Sequence, residues 1–192
     1  MAHFPILARR AGASGDGVIA LRLIDSGERL LTFRGPVYET REHRALLARS
    51  DEDRFLQIAT DLYMGPGGGL DDFVNHSCEP NSRLHYHADG IHLVALRSIR
   101  RGEQVTFDYA TSQNDYPYRF VCRCGAASCR GEIGNFDELP SVLKWRYNSD
   151  GVLAPWLSDY LVRRARRRFQ DEPVPQKKRA RIARKRKRVV AS

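Results

Sequence analysis

The chain has four cysteines, Cys78, Cys122, Cys124 and Cys129, and their placement limits its topology more than any other feature. Three of them fall in "CRCGAASC" as Cys122-x-Cys124-x4-Cys129. Three thiolates this close can wrap one ion, but a structural zinc site takes four ligands in a tetrahedron. Cys78, in "VNHSCEPNS" (74–82), is the one cysteine left to complete such a set. A shared ion would staple the segment after Tyr109 onto residues 74–82, a long-range tie that no local pattern supplies. Two readings compete with it. Cys78 can be a small buried core residue with the other three incidental, or it can be a nucleophile. A nucleophile wants a histidine base that holds it as a thiolate. His76 is two residues away, where a strand rarely lets the two side chains meet. Disulfides are rare in a reducing compartment, the setting expected here.

The local patterns predict a body that is mainly β with short helices. "DGVIALRLIDSGERLLTFRGPVYE" alternates apolar and polar residues, which suits strands near 17–23 and 29–38. A helix is expected near 41–49 with Thr40 as its cap, then one or two strands in "RFLQIATDLYM". "GPGGG" (65–69) is a turn or loop. "SRLHYHADGIHLVALRSI" reads as a hairpin about an Asp89-Gly90 turn, and "RRGEQVTFDYA" as a turn and a final strand. After the cysteines the period changes. "DELPSVLKWRY" and "APWLSDYLVRRARRRFQ" read as helices, the second with Trp156, Leu157, Tyr160, Leu161, Ala165 and Phe169 on one face.

Charge is divided unevenly. Residues 163–192 hold 14 basic and 2 acidic residues, net +12, whereas the other 162 residues hold 18 and 21, net −3. The stretch from Asp171 has prolines and charge but little to bury, and disorder is expected there. No run approaches the roughly 18 apolar residues of a membrane span. The N-terminus places a short apolar patch before its arginines, the wrong order for a secretory signal, so an intracellular protein without a membrane is expected. An arginine-rich, lysine-poor body fits a GC-rich genome, with which a bacterial or viral source is compatible, and the organism is left open.

Four segments together resemble a known family. "SGDGV" (14–18) is similar to a Gly-x-Gly loop, and "DDFVNHSCEPN" (71–81) to the motif RFxNHSCxPN. "GEQVTFDY" (102–109) is similar to GExxTxDY, and "CRCGAASCRG" (122–131) to a post-SET cysteine segment. Over about residues 12–134 the chain resembles a SET-domain protein lysine methyltransferase, in a minimal form without a cysteine-rich pre-SET segment. The resemblance implies small curved sheets of the β-clip-like SET fold, with residues 74–82 threaded in a pseudoknot. It divides the chain into a SET domain (1–120), a post-SET zinc segment (121–134), a C-terminal helical extension (135–170) and a disordered basic tail (171–192).

The resemblance also implies roles. S-adenosylmethionine would bind one face and a substrate lysine would enter from the other. Tyr109 takes the position of the catalytic tyrosine. Phe107 takes that of a switch that limits the number of methyl groups; a phenylalanine there favours di- or trimethylation. Gly15, Asp16, Gly17, Asn75 and His76 correspond to cofactor contacts, His76 mostly through its backbone, and Tyr109 and Cys124 adjoin them. Cys78, Cys122, Cys124 and Cys129 correspond to the ligands of a structural zinc ion. Phe33 stands where many relatives carry an aromatic near the methyl site. Asp72 departs from the pattern, where many relatives carry arginine.

The implied substrate is a histone or histone-like basic protein. The tail would attract polyanions such as nucleic acid or a nucleosome. "KKRAR" and "RKRKR" resemble nuclear-localisation patches, and Ala183-Arg184-Lys185 has the local form of methylated histone-tail sites. A nucleus, a bacterial nucleoid, or a host nucleus for a secreted effector all fit, and nothing in the sequence sets an oligomeric state. The competing class is a catalytically weak zinc-containing module that binds chromatin or nucleic acid.

Overall fold

The structure, a computed structural model, describes residues 6–12, 15–50, 53–117 and 119–171. The expected disordered tail, apart from Asp171, lies outside the described residues, and with it Lys185 and both basic patches. In chain order the elements are β1 (Leu7–Gly12), β2 (Gly15–Ala20), β3 (Arg29–Phe33), β4 (Val37–Glu39) and α1 (Thr40–Leu47). There follow β5 (Leu56–Gln57), β6 (Leu62–Met64), β7 (Asn75–His76), β8 (Ser82–His87), β9 (Gly90–Ala95) and β10 (Thr106–Phe107). Last come β11 (Phe120–Val121), β12 (Glu132–Ile133), α2 (Ser141–Ser149) and α3 (Pro155–Asp171). Short 3-10 turns occupy Leu70–Phe73, Tyr109–Thr111 and Phe136–Glu138. The chain divides into two compact units, one ending at Ser158 and the other beginning at Asp159, so the division falls inside α3. In the second unit Arg164 Nη1 donates to the Tyr160 hydroxyl at 2.9 Å, one helical turn apart.

The strands form small separate sheets: β1–β2, β3–β9–β8, β4–β6–β5, β11–β12 and the two-residue pair β7–β10. All pairings are antiparallel except β7–β10, which sets Asn75 beside Thr106 and His76 beside Phe107. Alternation in β2 turns Val18 and Ala20 inward, where they join Ile24, Leu93, Ile99 and Val105 in the main core. Each large apolar side chain buried in this way contributes on the order of 1.5–3 kcal/mol.

Several expected elements are corrected. Residues 7–12, where no strand was expected, form β1 along β2, and β2 covers 15–20 rather than 17–23. The strand expected over 29–38 breaks into β3 and β4. Pro36 cannot donate to a ladder, and a Cβ on Gly35 would fall 1.9 Å from the Gly65 carbonyl oxygen. Helix α1 is capped by Glu39 in a reciprocal capping box with Glu42, and Thr40 is its first helical residue. The hairpin turns on Ala88 and Asp89, with Gly90 already paired to His87 at a φ of +138°.

The departure at Asp72 has a structural cause. Its carboxylate accepts hydrogen bonds from the backbone N–H groups of Gly67 (3.1 Å) and Gly68 (2.6 Å), and Asp71 accepts from Arg34 N–H at 2.8 Å. Both acids therefore hold the glycine loop and the end of β3.

Buried Asn81 fastens residues 74–82 to β10. Its amide donates to Gln104 O (2.8 Å) and Glu103 Oε1 (3.0 Å), and its carbonyl accepts from Thr106 N–H (2.9 Å). Glu103 also takes Arg97 at 2.7 Å and the Arg100 N–H at 3.0 Å. Partial burial pushes this carboxyl up, but the bonds from Arg97, Arg100 and Asn81 outweigh it and hold it at about 2, below the ordinary 4.5. Glu103 therefore stabilises the fold above about pH 4.5, and that contribution is lost as pH falls through about 2. Urea unfolding across this window should show a shallower acid limb in Glu103→Gln than in wild type. Superimposable limbs would remove Glu103 from the acid response.

Candidate functional site

The residues singled out by sequence converge around β7 and the turn after β10. Asn75 Nδ2 donates to Asp16 O at 3.0 Å, which ties β7 to the loop that opens β2. Gly15 has a φ of +87°. A Cβ on Gly17 would lie 2.1 Å from Gln104 Nε2 and 2.9 Å from Asn75 Nδ2, so glycine is needed for β2 to approach these amides. The Gly-x-Gly loop thus meets Asn75 directly. Asp16 is also paired with Arg9, whose guanidinium lies 3.8 Å from the centre of the Phe73 ring.

Aromatic rings line the middle of the site. Phe33 meets Phe107 edge-on at 6.1 Å, Phe107 lies 4.9 Å from Tyr109, and Tyr109 lies 5.9 Å from Phe120. The Tyr109 hydroxyl donates to Val74 O at 2.9 Å. Burial pushes its phenol far above the usual range, so the group stays protonated and acts as a donor. Two cavities meet at this point. One of about 470 Å³ is bordered by Phe33, Met64, Val74, Phe107, the four aspartates Asp16, Asp53, Asp71 and Asp72, and the three arginines Arg9, Arg34 and Arg54. The other, about 550 Å³, is bordered by His76, Gln104, Phe120, Cys122 and Cys124. Asn75 and Tyr109 border both.

The four cysteines are together: their sulfurs all lie within 4.8 Å of one another. Cys78 Sγ is 3.9 Å from Cys122 Sγ. Zinc–sulfur bonds of about 2.3 Å at tetrahedral angles require sulfurs about 3.8 Å apart, so the donor set fits zinc. Burial raises the Cys78 and Cys122 thiols. At Cys124 burial also pushes upward, but backbone hydrogen bonds at Cys78 and Ala126 and the neighbouring thiols bring it down to about 6. Without a cation, four sulfurs this close cannot all ionise; a divalent ion would let them.

His76 corrects the expectation that its side chain would not reach Cys78. Its Nε2 lies 3.3 Å from Cys78 Sγ, and its Nδ1 accepts from the Tyr109 N–H at 3.2 Å. Because Nδ1 accepts, Nε2 carries the proton and points it at the sulfur. Burial holds the ring neutral, its pKa pushed down to about 4. The ring is therefore a spacer between Tyr109 and the cysteine cluster, and not a base toward Cys78.

Three residues of the site escaped sequence reading. Asp108 is wholly buried and receives both arms of Arg130, at 2.6 and 2.7 Å. It also accepts from the Tyr147 hydroxyl of α2 at 2.7 Å and from Ala110 N–H at 3.1 Å. Arg130 in turn donates its backbone N–H to Cys78 Sγ at 3.3 Å. The acid stands in the TFDY motif, but nothing local announces partners 22 and 39 residues away. Asp108→Ala should lower unfolding free energy by about 3–5 kcal/mol, because it strands a buried guanidinium. Tyr147→Phe should cost only about 1 kcal/mol. Equal losses in urea unfolding would contradict this ranking.

Comparison with known proteins agrees with this geometry. Residues 15–110 match the family model described as SET domain. The chain is 34% identical to human Histone-lysine N-methyltransferase 2B over 137 residues, covering 63% of this chain and 5% of that protein. It is 31% identical to the H3 lysine-4 specific histone-lysine N-methyltransferase of Saccharomyces cerevisiae over 145 residues, covering 66% and 13%. The chain thus spans a small part of these relatives' length. Among solved structures it is similar to KRYPTONITE in complex with mCHG DNA and SAH, with a TM-score of 0.53 and 25% identity, covering 66% of this chain and 28% of that one.

Proposed function

Because the chain belongs to the SET-domain family, we propose that it is an S-adenosylmethionine-dependent protein-lysine N-methyltransferase acting on histone or histone-like basic proteins. The observation that carries this reading is the meeting of two cavities at Tyr109 and Asn75. Methyl transfer from a sulfonium is an in-line displacement, and it needs donor and acceptor to approach one point from opposite sides.

In this reading the larger cavity takes S-adenosylmethionine, which when bound supplies an electrophilic methyl group. Asn75, with the Gly15–Gly17 loop beside it, holds the amino-acid end. Cys124 and the backbone of His76 face the remainder, because the His76 ring is engaged by Tyr109 and Cys78. The smaller cavity takes the lysine. Free lysine has a pKa of about 10.4, and only its neutral amine attacks. Phe33 and Phe107 strip water from it, which favours the neutral form. Tyr109 and the Val74 carbonyl orient the nitrogen. Phe107 puts no hydroxyl beside the amine to retain a water, which supports di- or trimethylation. Zinc on Cys78, Cys122, Cys124 and Cys129 is structural. The net +12 of residues 163–192 would hold the enzyme on nucleic acid or nucleosomes, which suits a nucleus or a nucleoid.

Transfer of labelled methyl from S-adenosylmethionine to core histones tests this directly. Wild type should label them, and Tyr109→Phe should be slower by about 10²-fold or more while still folding cooperatively, at a cost of about 1 kcal/mol for the lost bond to Val74 O. Labelling of equal rate in the variant would sink the role of Tyr109. Bound cofactor with no label on any basic protein would refute the substrate class.

A further inference from the structure

We propose that the tip of the β8–β9 hairpin is a second metal site, binding a divalent transition-metal ion through His87 Nδ1, His92 Nε2 and one oxygen of Asp89. These three ligand atoms all lie within 4.8 Å of one another. Asp89 Oδ1 is 2.5 Å from His87 Nδ1 and 2.8 Å from His92 Nε2, so both rings already point at one spot.

The hairpin register creates this convergence. His85 pairs with His92 and His87 with Gly90, which places three histidines on one face of the ribbon. The His85 ring stacks against His87 with centres 6.1 Å apart. Gly90 keeps the turn tight: a Cβ there would touch Thr32 Cγ2 at 3.4 Å and His92 Cε1 at 3.7 Å.

The surroundings resemble those of a metal ligand set. His92 is 1% exposed, and its Nδ1 is 2.9 Å from Thr32 Oγ1 on β3. A second hydrogen bond of this kind sets the orientation of a metal-binding imidazole. A hydroxyl both donates and accepts, so Thr32 can hold the ring whether Nε2 carries a proton or a metal. Arg29 takes the other Asp89 oxygen, Oδ2, at 3.2 Å and leaves Oδ1 to the histidines. Hydrogen bonds from His92, His87 and Arg29 keep the Asp89 carboxylate ionised well below its usual range. His87 is 57% exposed and Asp89 53%, which gives an ion a path in and leaves positions for water. As the ion enters, the proton on each coordinating nitrogen is exchanged through solvent for one on the ring's other nitrogen, so each ligand stays a neutral imidazole with no net proton released. Two imidazole nitrogens and one carboxylate suit zinc, cobalt, nickel or copper better than magnesium or calcium. None of the three residues borders either cavity of the SET site or belongs to the cysteine cluster.

The test is calorimetric titration with Co2+ of the full chain carrying a single equivalent of zinc, enough for the four cysteines alone, read also by absorption. Wild type should take up one cobalt without the intense near-ultraviolet bands of cobalt–thiolate bonding. His87→Ala and Asp89→Asn, both on the exposed tip, should each weaken uptake by more than about tenfold. No uptake by wild type, uptake undiminished in both variants, or thiolate bands on the bound cobalt would overturn the proposal.

Discussion

The buried carboxylate of Asp108 is the interaction on which the site depends. It joins the end of β10, the cysteine segment through Arg130 and α2 through Tyr147. The contacts then close on themselves. Arg130 N–H meets Cys78, Cys78 meets the His76 ring, and that ring receives the N–H of Tyr109, the residue after Asp108. A buried ion pair is weak support for overall stability, since removing two charges from water costs much of what their attraction returns. Its effect here is geometric: fully satisfied, it leaves the ring of contacts one arrangement.

That ring explains why a cysteine cluster and a tyrosine hydroxyl belong to the same apparatus. The parallel pair β7–β10 is only two residues long and cannot hold its register alone. Asn81 secures it on one side, and His76 with Asp108 on the other. The result fixes the Tyr109 ring between Phe107 and Phe120, with its hydroxyl on Val74, at the boundary of the two cavities. Cys122 and Cys124 border one of those cavities, so order in the cysteine segment reaches the site wall itself.

Much of this was legible in the sequence, for identifiable reasons. The cysteines are so few that their grouping followed from counting. NHSC and TFDY compress several roles into adjacent residues, and the 82–99 hairpin alternates plainly. What was not legible depends on partners distant in the chain. Asp108 gave no sign of Arg130 or Tyr147, because ion pairing across 22 residues has no period to detect. Asp72 read as a lost arginine, whereas the fold uses it to cap the Gly67 and Gly68 amides. Residues 7–12 lack clean alternation, and β1 forms there because β2 offers it an edge. His76 reaches Cys78 because β7 ends at His76 itself, and the chain turns where a longer strand would have kept the two side chains apart.

The central claim is that the cysteine cluster and the cavity proposed for the cofactor are one mechanical unit. The most direct measurement is the affinity of S-adenosylhomocysteine for the zinc-loaded protein and for the same protein stripped by a chelator, with far-ultraviolet circular dichroism confirming that the sheets persist. The account predicts binding weaker by about tenfold or more after stripping, with the sheets retained. Equal affinity in the two forms would contradict it.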